Sequence, residues 1–354
     1  MDYEITKLTD EAVELLKHLI AIPSVSREET EAADCLERFM NDKGLRTCRE
    51  ANNIWTLPDV IDDNKPTLLL NAHIDTVKPS KSWTRDPFSP TMEGDRLYGL
   101  GSNDCGGGLV MLLQAYRVLK DKDVPYNLIY MASAEEEVSG KNGFSKALPL
   151  LPHIDVAIVG EPTGLQPAIA EKGLMVIDGK AKGKAGHAAR NEGVNAIYVA
   201  LEDIDWIRNH RFRRKSQLLG DTKMTVTILN AGTQHNVIPD TCTFTIDVRT
   251  NEFYKNSYVY AYLQKHLKSE LKARSTRLSS SAIPFDHPLV RRCVEMGMTP
   301  FGSPTLSDQA LMPWPSMKLG PGESSRSHTA NEFICRSELE KALRTYLDLL
   351  LVNI

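Results

Sequence analysis

Histidines and carboxylates recur directly after apolar, strand-like stretches of this sequence, and one further carboxylate stands before a glycine-led helix pattern. In open α/β sheets, ligands collect beyond the carboxyl ends of the strands, so these side chains are candidates for one shared site. A single His or Glu at such a place is most simply packing or surface, but recurrence at several elements favours a joint role. The residues are His73, Asp75, Asp104, Glu136, Glu137, Glu161 and His328.

The side-chain types in this set indicate a divalent metal site, because a bound cation removes the cost of burying unpaired carboxylates. Imidazole nitrogens and carboxylate oxygens suit zinc, cobalt or manganese better than calcium or magnesium. Two histidines, Asp104 and two of the glutamates exceed the four ligands of one structural zinc. We therefore expect two metal ions about 3.5 to 4 Å apart, with one carboxylate bridging them.

Asp75 stands two residues after His73, so both side chains point to the same side of an extended chain. The Asp75 carboxylate is thus expected to accept the second ring N–H of His73, which would fix the tautomer of this ligand. An ordinary turn aspartate is the alternative.

The elements that must carry these residues predict an α/β fold. The stretch ITKLTDEAVELLKHLIAI has helical periodicity, and CGGGLVMLLQAYRVLKD forms a second helix pattern. Four short apolar runs are typical of strands buried on both faces, which predicts a mostly parallel sheet flanked by helices. These runs cover residues 67–72, 127–132, 156–160 and 316–320.

Strands between about residues 174 and 281 alternate polar and apolar side chains instead, as in MTVTIL and TFTIDV. The pattern reads strand, helix, two strands, helix and a last strand near 275–281, a ferredoxin-like βαββαβ order. We therefore predict an inserted α+β domain at 174–281, acting in dimerisation or as a lid. Residues 1–173 and 282–354 would form a discontinuous metal-binding catalytic domain.

Length and composition exclude several classes of protein. A chain of 354 residues is longer than one hydrophobic core usually grows, and a net charge of -4 provides no basic field for a nucleic-acid partner. The acidic N-terminus differs from a signal peptide, and no apolar run reaches the roughly 18 residues of a membrane span. We expect a cytoplasmic protein without a membrane partner. The six cysteines form no CxxC pair, which disfavours a disulfide framework or a thiolate zinc site.

The order of motifs along nearly the whole chain resembles that of the M20 family of metal-dependent amidohydrolases. These motifs are HIDTV (73–77), GSNDCGGG (101–108), AEEEVSG (134–140), GEPT (160–163), GKAGHAA (183–189), NVIPD (236–240), DVRT (247–250), GPG (320–322) and SHTANEF (327–333).

The resemblance implies two metal ions, with zinc as the expected metal and cobalt able to substitute. His73, Asp104 and Glu161 would hold one ion, and Asp104, Glu137 and His328 the other. Asp104 would therefore be the bridging carboxylate. The family also has a cis peptide directly after this aspartate, which makes the Asp104–Cys105 bond a candidate.

Aligning AEEEVSG with the family's DEE pattern makes Glu136 the general base and gives Glu135 a supporting position. One departure is Gly106, which stands where the family commonly has lysine.

In the inserted domain, the resemblance implies that His187 stabilises the oxyanion and comes from the partner subunit of a homodimer. Asn236 and Arg249 would hold the substrate, the arginine by a bidentate contact to its carboxylate. A solvated loop histidine and a plain strand-edge charge are the alternatives for His187 and Arg249. The turn that begins at Gly320 would offer backbone N–H groups near the site.

The branch that the chain resembles contains acetylornithine deacetylase and succinyl-diaminopimelate desuccinylase. We therefore expect hydrolysis of the amide bond of an N-acyl amino acid, with N-acetylornithine or an N-acylated citrulline in arginine biosynthesis preferred. A desuccinylase, or a dipeptidase or aminopeptidase of the same family, is the alternative. A metal-binding protein without catalysis is disfavoured because Glu136 is present. The motifs leave the acyl group and the amino acid open.

Overall fold

The computed structural model describes residues 2–58, 60–190 and 192–351. The chain divides into two compact units. The first unit is Met1–Ile169, Ile283–Phe301 and Ser307–Ile354, and the second is Ala170–Ala282 with the short segment Gly302–Leu306.

The first unit contains six of the helices and most of the strands that the structure describes. Its N-terminal part contains α1 (Asp2–Ile20), α2 (Thr30–Asp42), β1 (Thr47–Glu50), β2 (Asn53–Thr56), β3 (Thr67–His73), β4 (Thr91–Glu93), β5 (Arg96–Tyr98), α3 (Gly107–Leu119), β6 (Asn127–Ser133), α4 (Phe144–Ala147), β7 (Val156–Val159) and the start of β8 (Ala168–Glu171).

The second unit follows, and the chain then returns to the first. The second unit contains β9 (Met175–Lys182), β10 (Gly186–His187), α5 (Ala196–Asn209), β11 (Lys223–Ala231), β12 (Val237–Ile238), β13 (Thr241–Arg249), α6 (Asn256–His266), β14 (Glu270–Ala273) and β15 (Ser281–Ala282). The remaining elements are α7 (Pro288–Glu295), β16 (Phe301–Ser303), β17 (Ser316–Lys318), β18 (Phe333–Cys335) and α8 (Arg336–Leu350).

A mixed, mostly parallel sheet forms the centre of the first unit, in the order β1-β2-β6-β3-β7-β17-β8. Strands β6, β3, β7 and β17 are parallel neighbours, whereas β1, β2 and β8 pair antiparallel. Every residue of β3, β6 and β7 is buried. The predicted α/β sheet is thus confirmed.

Alternation along β3 fills two cores, one on each face of the sheet. Leu68 and Leu70 belong to the larger core, whereas Leu69 joins a smaller core on the other face. Helix α3 packs between the sheet and the helices α1 and α8. Two-sided burial explains why these strands read as continuous apolar runs in the sequence.

The second unit has a four-stranded antiparallel sheet in the order β11-β13-β9-β14, with α5 and α6 as its helices. Its element order is βαββαβ. The last strand, Glu270–Ala273, ends before the predicted position near 275–281. Leu271 and Ala273 are half-buried, alternate with the exposed Glu270 and Lys272, and pair with β9, which makes this segment an edge strand.

None of the helices in the described ranges combines the length and apolar character that a membrane span requires.

Candidate metal centre and active site

The parallel strands of the first unit bring the predicted site residues to one edge of the sheet. His73 is the last residue of β3 and lies in register with Ser133, the last residue of β6. Glu136 and Glu137 follow β6 in a short helical turn, and Glu161 stands two residues after β7. The three strands end side by side, so residues that are far apart in sequence converge.

Asp104 lies between the two predicted histidine ligands. Its Oδ1 atom is 3.3 Å from His73 Nε2, and its Oδ2 atom is 3.4 Å from His328 Nε2. Each carboxylate oxygen therefore faces a different imidazole, which is the arrangement that a bridging ligand requires. Nitrogen and oxygen ligands at about 2.0 to 2.1 Å from one zinc ion lie roughly 3.3 Å apart at a tetrahedral angle, close to these separations.

Two glutamates complete the cluster, one beside each histidine. His328 Nε2 is 2.9 Å from Glu137 Oε2, and His73 Nε2 is 3.7 Å from Glu161 Oε1. Ligand atoms of His73, Asp104 and Glu137 lie within 4.8 Å of one another. Glu161 Oε1 is buried and has no hydrogen-bond partner among the described residues. A buried, unpaired carboxylate oxygen aimed at a histidine fits a cation, so the residues present fit two metal ions.

Glycines permit the close approach that places Asp104 beside Glu161. A Cβ at Gly108, in the first turn of α3, would overlap the Gly160 carbonyl oxygen at the end of β7. The Asp104–Cys105 peptide bond is cis, as the resemblance implied. At Gly106, a Cβ would overlap the Gly101 carbonyl oxygen and a methyl group of Leu16. The family's lysine is replaced by glycine at position 106, and the backbone around it leaves no room for a side chain.

The prediction for Asp75 was wrong about the atom that holds His73. His73 Nδ1 donates to the backbone carbonyl of Asp75 at 2.8 Å, whereas the nearest carboxylate oxygen is 3.7 Å away. The carboxylate instead accepts the backbone N–H groups of Glu136 and Glu137 and the Ser26 hydroxyl. The turn after β3 folds the Asp75 carbonyl back towards the His73 ring. The main chain, and not the carboxylate, therefore fixes the tautomer in which Nε2 is free for a metal.

Burial and neighbouring charges shift several pKa values in this cluster. Burial raises the pKa of Glu161 to about 7, and burial raises that of Glu136 well above its usual range. The hydrogen bond to Glu137 raises the pKa of His328 to about 9. Burial is the largest single effect on Asp104 and favours its neutral form. The hydrogen bond from His73 and the charges of His73 and His328 together outweigh it, so the pKa of this carboxyl is lowered. A bound dication would hold these carboxyl groups in their ionised form.

Comparison with known proteins matches residues 69–352 to peptidase family M20/M25/M40. That range covers most of the chain. The chain belongs to this family.

Curated relatives of this M20 chain include acetylornithine deacetylases. The protein from Proteus mirabilis is 30% identical over 93% of both chains, and the one from Pectobacterium carotovorum is 29% identical over 91% of this chain and 92% of the relative. These similarities identify an M20 family hydrolase.

Solved structures of M20 proteins share the fold. An M20 metallo-carboxypeptidase from Sulfolobus solfataricus aligns with a TM-score of 0.73 at 19% identity, covering 96% of this chain and 98% of the other. A Bacillus subtilis M20 protein described as a dinuclear metal-binding peptidase aligns with a TM-score of 0.70 at 16% identity, covering 98% of both chains.

The second unit of this M20 protein brings two predicted residues together. His187 in β10 pairs with Val237 in β12, and the carbonyl of Asn236 accepts the N–H of Ala188 at 3.0 Å. His187 is exposed, and its Nδ1 accepts the Ala189 N–H.

Arg249 at the end of β13 forms a bidentate pair with Asp247, at 2.8 and 3.1 Å. The Nε and Nη2 edge of the guanidinium is therefore engaged by a neighbour on its own strand, and Nη1 is the group left for a substrate carboxylate.

Gly320 lies beside the first-unit site but does not offer its N–H group there. The N–H of Gly320 donates to the Thr163 hydroxyl at 3.2 Å. A Cβ at this position would overlap the carbonyl oxygens of Gly160 and Glu161. The glycine is thus required for close packing of the chain after β17 against the loop that carries Glu161, and the expected free donor is absent at this residue.

Sequence reasoning missed the role of Glu332. This buried carboxylate accepts the backbone N–H groups of Gly101, Asn103 and Asp104, at 3.3, 2.9 and 2.9 Å. It thereby ties the loop that carries His328 to the loop that carries Asp104. Its place in the SHTANEF motif was the only signal in the sequence.

Asp308 was also missed, because it follows no apolar strand. It is buried and accepts hydrogen bonds from the Ser133 hydroxyl at 2.6 Å and the Asn71 side chain at 3.2 Å. Burial raises the pKa of Asp308 to about 6. Its carboxylate therefore links Asn71 of β3 to Ser133 of β6 near the ends of these strands.

Proposed function

We propose that the protein hydrolyses the amide bond of an N-acyl amino acid with the help of two bound metal ions, zinc being the preferred metal and cobalt a substitute. His73, Asp104 and Glu161 would hold one ion, and Asp104, Glu137 and His328 the other. The observation that carries this proposal is the Asp104 carboxylate, whose two oxygens face His73 and His328 separately.

When bound, the metal ions would polarise the acyl carbonyl and lower the pKa of a water molecule. Glu136 accepts the proton of the attacking water and later delivers it to the leaving amine. Burial raises the pKa of this carboxyl, which favours uptake of the proton from the water. Asp75 positions Glu136 by accepting its backbone N–H, and Glu135 supports the loop through its hydrogen bonds to Asn142.

For the substrate, we propose N-acetylornithine or an N-acylated citrulline, which would place the enzyme in arginine biosynthesis. The support is the similarity to acetylornithine deacetylases along 93% of both chains, at 30% identity. Asn236 and Arg249 would contact the substrate, and His187 would stabilise the oxyanion. The cytoplasmic location stays a prediction.

The decisive experiment is hydrolysis by the purified protein, stripped of metal and reloaded with zinc or cobalt. The substrates are N-acetylornithine, N-acetylcitrulline, N-succinylornithine, succinyl-diaminopimelate and several dipeptides, with the released amine quantified by chromatography. We expect the acylated ornithine or citrulline to be turned over fastest. Faster cleavage of dipeptides would replace the proposal with a peptidase, and no hydrolysis of any acylated amino acid would overturn it.

We also propose a homodimer through the second unit. Strand β11 pairs on one side only among the described strands, and its Ile228 and Leu229 are about half exposed, at 50% and 49%. On α5, Tyr198 and Leu201 are exposed as well, at 67% and 47%. An open strand edge beside exposed apolar side chains favours pairing with a second copy.

The dimer is tested by light scattering during size-exclusion chromatography. We expect a dimer for the natural protein and a monomer for Leu229→Lys, with Leu150→Lys in the first unit, also at an exposed apolar residue, as the control. A monomeric natural protein would contradict the dimer without affecting the metal site.

A further inference from the structure

A second pocket, separate from the residues of the metal centre, lies within the second unit. It has a volume of about 590 Å³ and lies between the C-terminal half of α5, the loop that follows it and the start of β11. Sites for small organic ligands commonly have volumes of about 300 to 1,000 Å³.

Four cationic side chains line this pocket, and the chain as a whole is acidic, with a net charge of -4. They are Lys172, Arg208, Arg211 and Lys223. Within the described part of the chain, none of the four forms a salt bridge to a carboxylate. Asp221 is the one carboxylate that lines the pocket. The result is a local excess of positive charge that the fold does not neutralise.

The floor of the pocket is apolar. Ile207 and Leu219 are buried, while Ile204, Met224 and Val226 are half-buried beside them. Such a surface under a ring of cations suits a ligand that has both an apolar body and negative charge.

His210 adds an aromatic wall to the pocket. Its ring stacks on Trp206, with centroids 4.3 Å apart and an interplanar angle of 9°. Its Nε2 atom is buried and has no hydrogen-bond partner among the described residues. Phe212 packs edge-on against the same ring, with centroids 4.9 Å apart, so this wall of the pocket is fixed by aromatic contacts.

We propose that this pocket binds an organic anion that carries a flat apolar group. The cations contact the negative charge, the apolar floor covers the body of the ligand, and the His210 ring, held by Trp206 and Phe212, forms one wall. Nucleotides and aromatic carboxylates share this chemistry. The site lies at the start of β11, whereas the exposed Ile228 and Leu229 lie towards its other end.

The test uses 8-anilinonaphthalene-1-sulfonate, whose fluorescence increases in an apolar site, and the neutral N-phenyl-1-naphthylamine as its uncharged counterpart. We expect one sulfonate bound per chain and much weaker binding of the neutral amine. Energy transfer from tryptophan to the probe should fall in Trp206→Phe. Equal affinity for the two compounds would overturn the proposal, because the cations would then contribute nothing.

Two matched triple variants each remove three positive charges, one inside the pocket and the other elsewhere on the second unit. Arg208→Gln/Arg211→Gln/Lys223→Gln should raise the Kd of the sulfonate at least about tenfold, because each partly exposed ion pair contributes a few-fold. Lys180→Gln/Lys255→Gln/Lys265→Gln, on the same unit, should change it less than about twofold. Circular dichroism and thermal unfolding show whether both variants fold. If the triple variant does not fold, single Arg208→Gln replaces it, with the expected result a weaker affinity at low salt.

Competition by AMP and by 1-naphthoate separates the two sources of ligand. Displacement of the probe by AMP alone assigns the pocket to nucleotides, and displacement by naphthoate alone assigns it to aromatic carboxylates. If neither compound displaces the probe and the triple variant retains natural affinity, the proposal is wrong. The measurements do not depend on hydrolysis, so they stand apart from the proposed enzymatic function.

Discussion

The carboxylate of Asp75 accepts the backbone N–H groups of both Glu136 and Glu137, at 3.0 and 3.2 Å. The Ser26 hydroxyl donates to the same carboxylate at 2.6 Å. Asp75 is fully buried, so these hydrogen bonds have no competition from water. One side chain on the loop after β3 thus orients the proposed base and a proposed metal ligand on the loop after β6.

Replacing Asp75 with asparagine should disturb both glutamates, because an amide offers one acceptor oxygen in place of two. We expect metal affinity or kcat to fall about 10- to 100-fold, the usual effect of losing a group that orients metal ligands. Metal titration and steady-state kinetics measure the two quantities. Asp63→Asn, at an exposed loop position, is the control and should match the natural protein. Unchanged values for Asp75→Asn would show that the loop holds its shape without this carboxylate.

The neighbouring glutamates should respond differently to the same substitution. Glu136→Gln removes the proton acceptor and should lower kcat by about 10² to 10⁴ with metal content retained. Glu137→Gln weakens the ligand beside His328 and should lower the metal content measured by mass spectrometry. A reversal of these two phenotypes would indicate that the register of AEEEVSG is shifted by one residue.

The metal-free protein should lose stability as the pH rises from about 5 to about 9. Burial raises the pKa of Glu161 to about 7 and that of Glu332 to about 8, so each ionises in the unfolded chain before it ionises in the folded one. His328, with a pKa raised to about 9, contributes stability below its ordinary value of 6.5 and loses it as the pH rises through 9. All three effects have the same sign.

Thermal unfolding in the presence of a chelator tests this dependence. Tm should fall across the range, and added zinc should raise Tm more at about pH 8 than at about pH 5.5, because protons compete with the metal for its ligands. Glu332→Gln should flatten the dependence of the chelated protein. A Tm of the chelated protein that rises with pH would contradict the assignment of these groups.

The close approach of Gly108 to Gly160 can be tested by adding one methyl group at position 108. Gly108→Ala places a Cβ against the Gly160 carbonyl oxygen, and overpacking of this kind costs about 1 to 3 kcal/mol. We expect Tm to fall by several degrees and metal affinity to decrease, because α3 must move away from the loop of Glu161. Gly107→Ala is the matched control, since its Cβ would meet its nearest atoms at 3.2 to 3.3 Å. Equal effects of the two substitutions would show that this contact has no special role.

Much of the first-unit site could be predicted from the sequence, because buried parallel strands are continuous apolar runs and their ends are visible. His73, Glu136, Glu137 and Glu161 were identified in this way, and the structure brings them to one edge of the sheet. Asp308 and Glu332 carry no such signal. Their partners are Ser133, Asn71 and backbone N–H groups more than 170 residues away in sequence, so only the folded chain shows what they bind.

The sequence by itself determined the family, the α/β sheet and the residues that stand at the strand ends, since these depend on periodicity and on motifs in order. Only the tertiary structure decided which atoms of these residues form hydrogen bonds with one another. In the folded chain, His73 Nδ1 donates to the backbone carbonyl of Asp75, and the Asp75 carboxylate accepts the backbone N–H of Glu136 instead. The tertiary structure also paired Arg249 with Asp247 and engaged the N–H of Gly320 with Thr163. Hydrogen-bond partners depend on loop geometry at the scale of an ångström, and residue spacing does not encode that geometry.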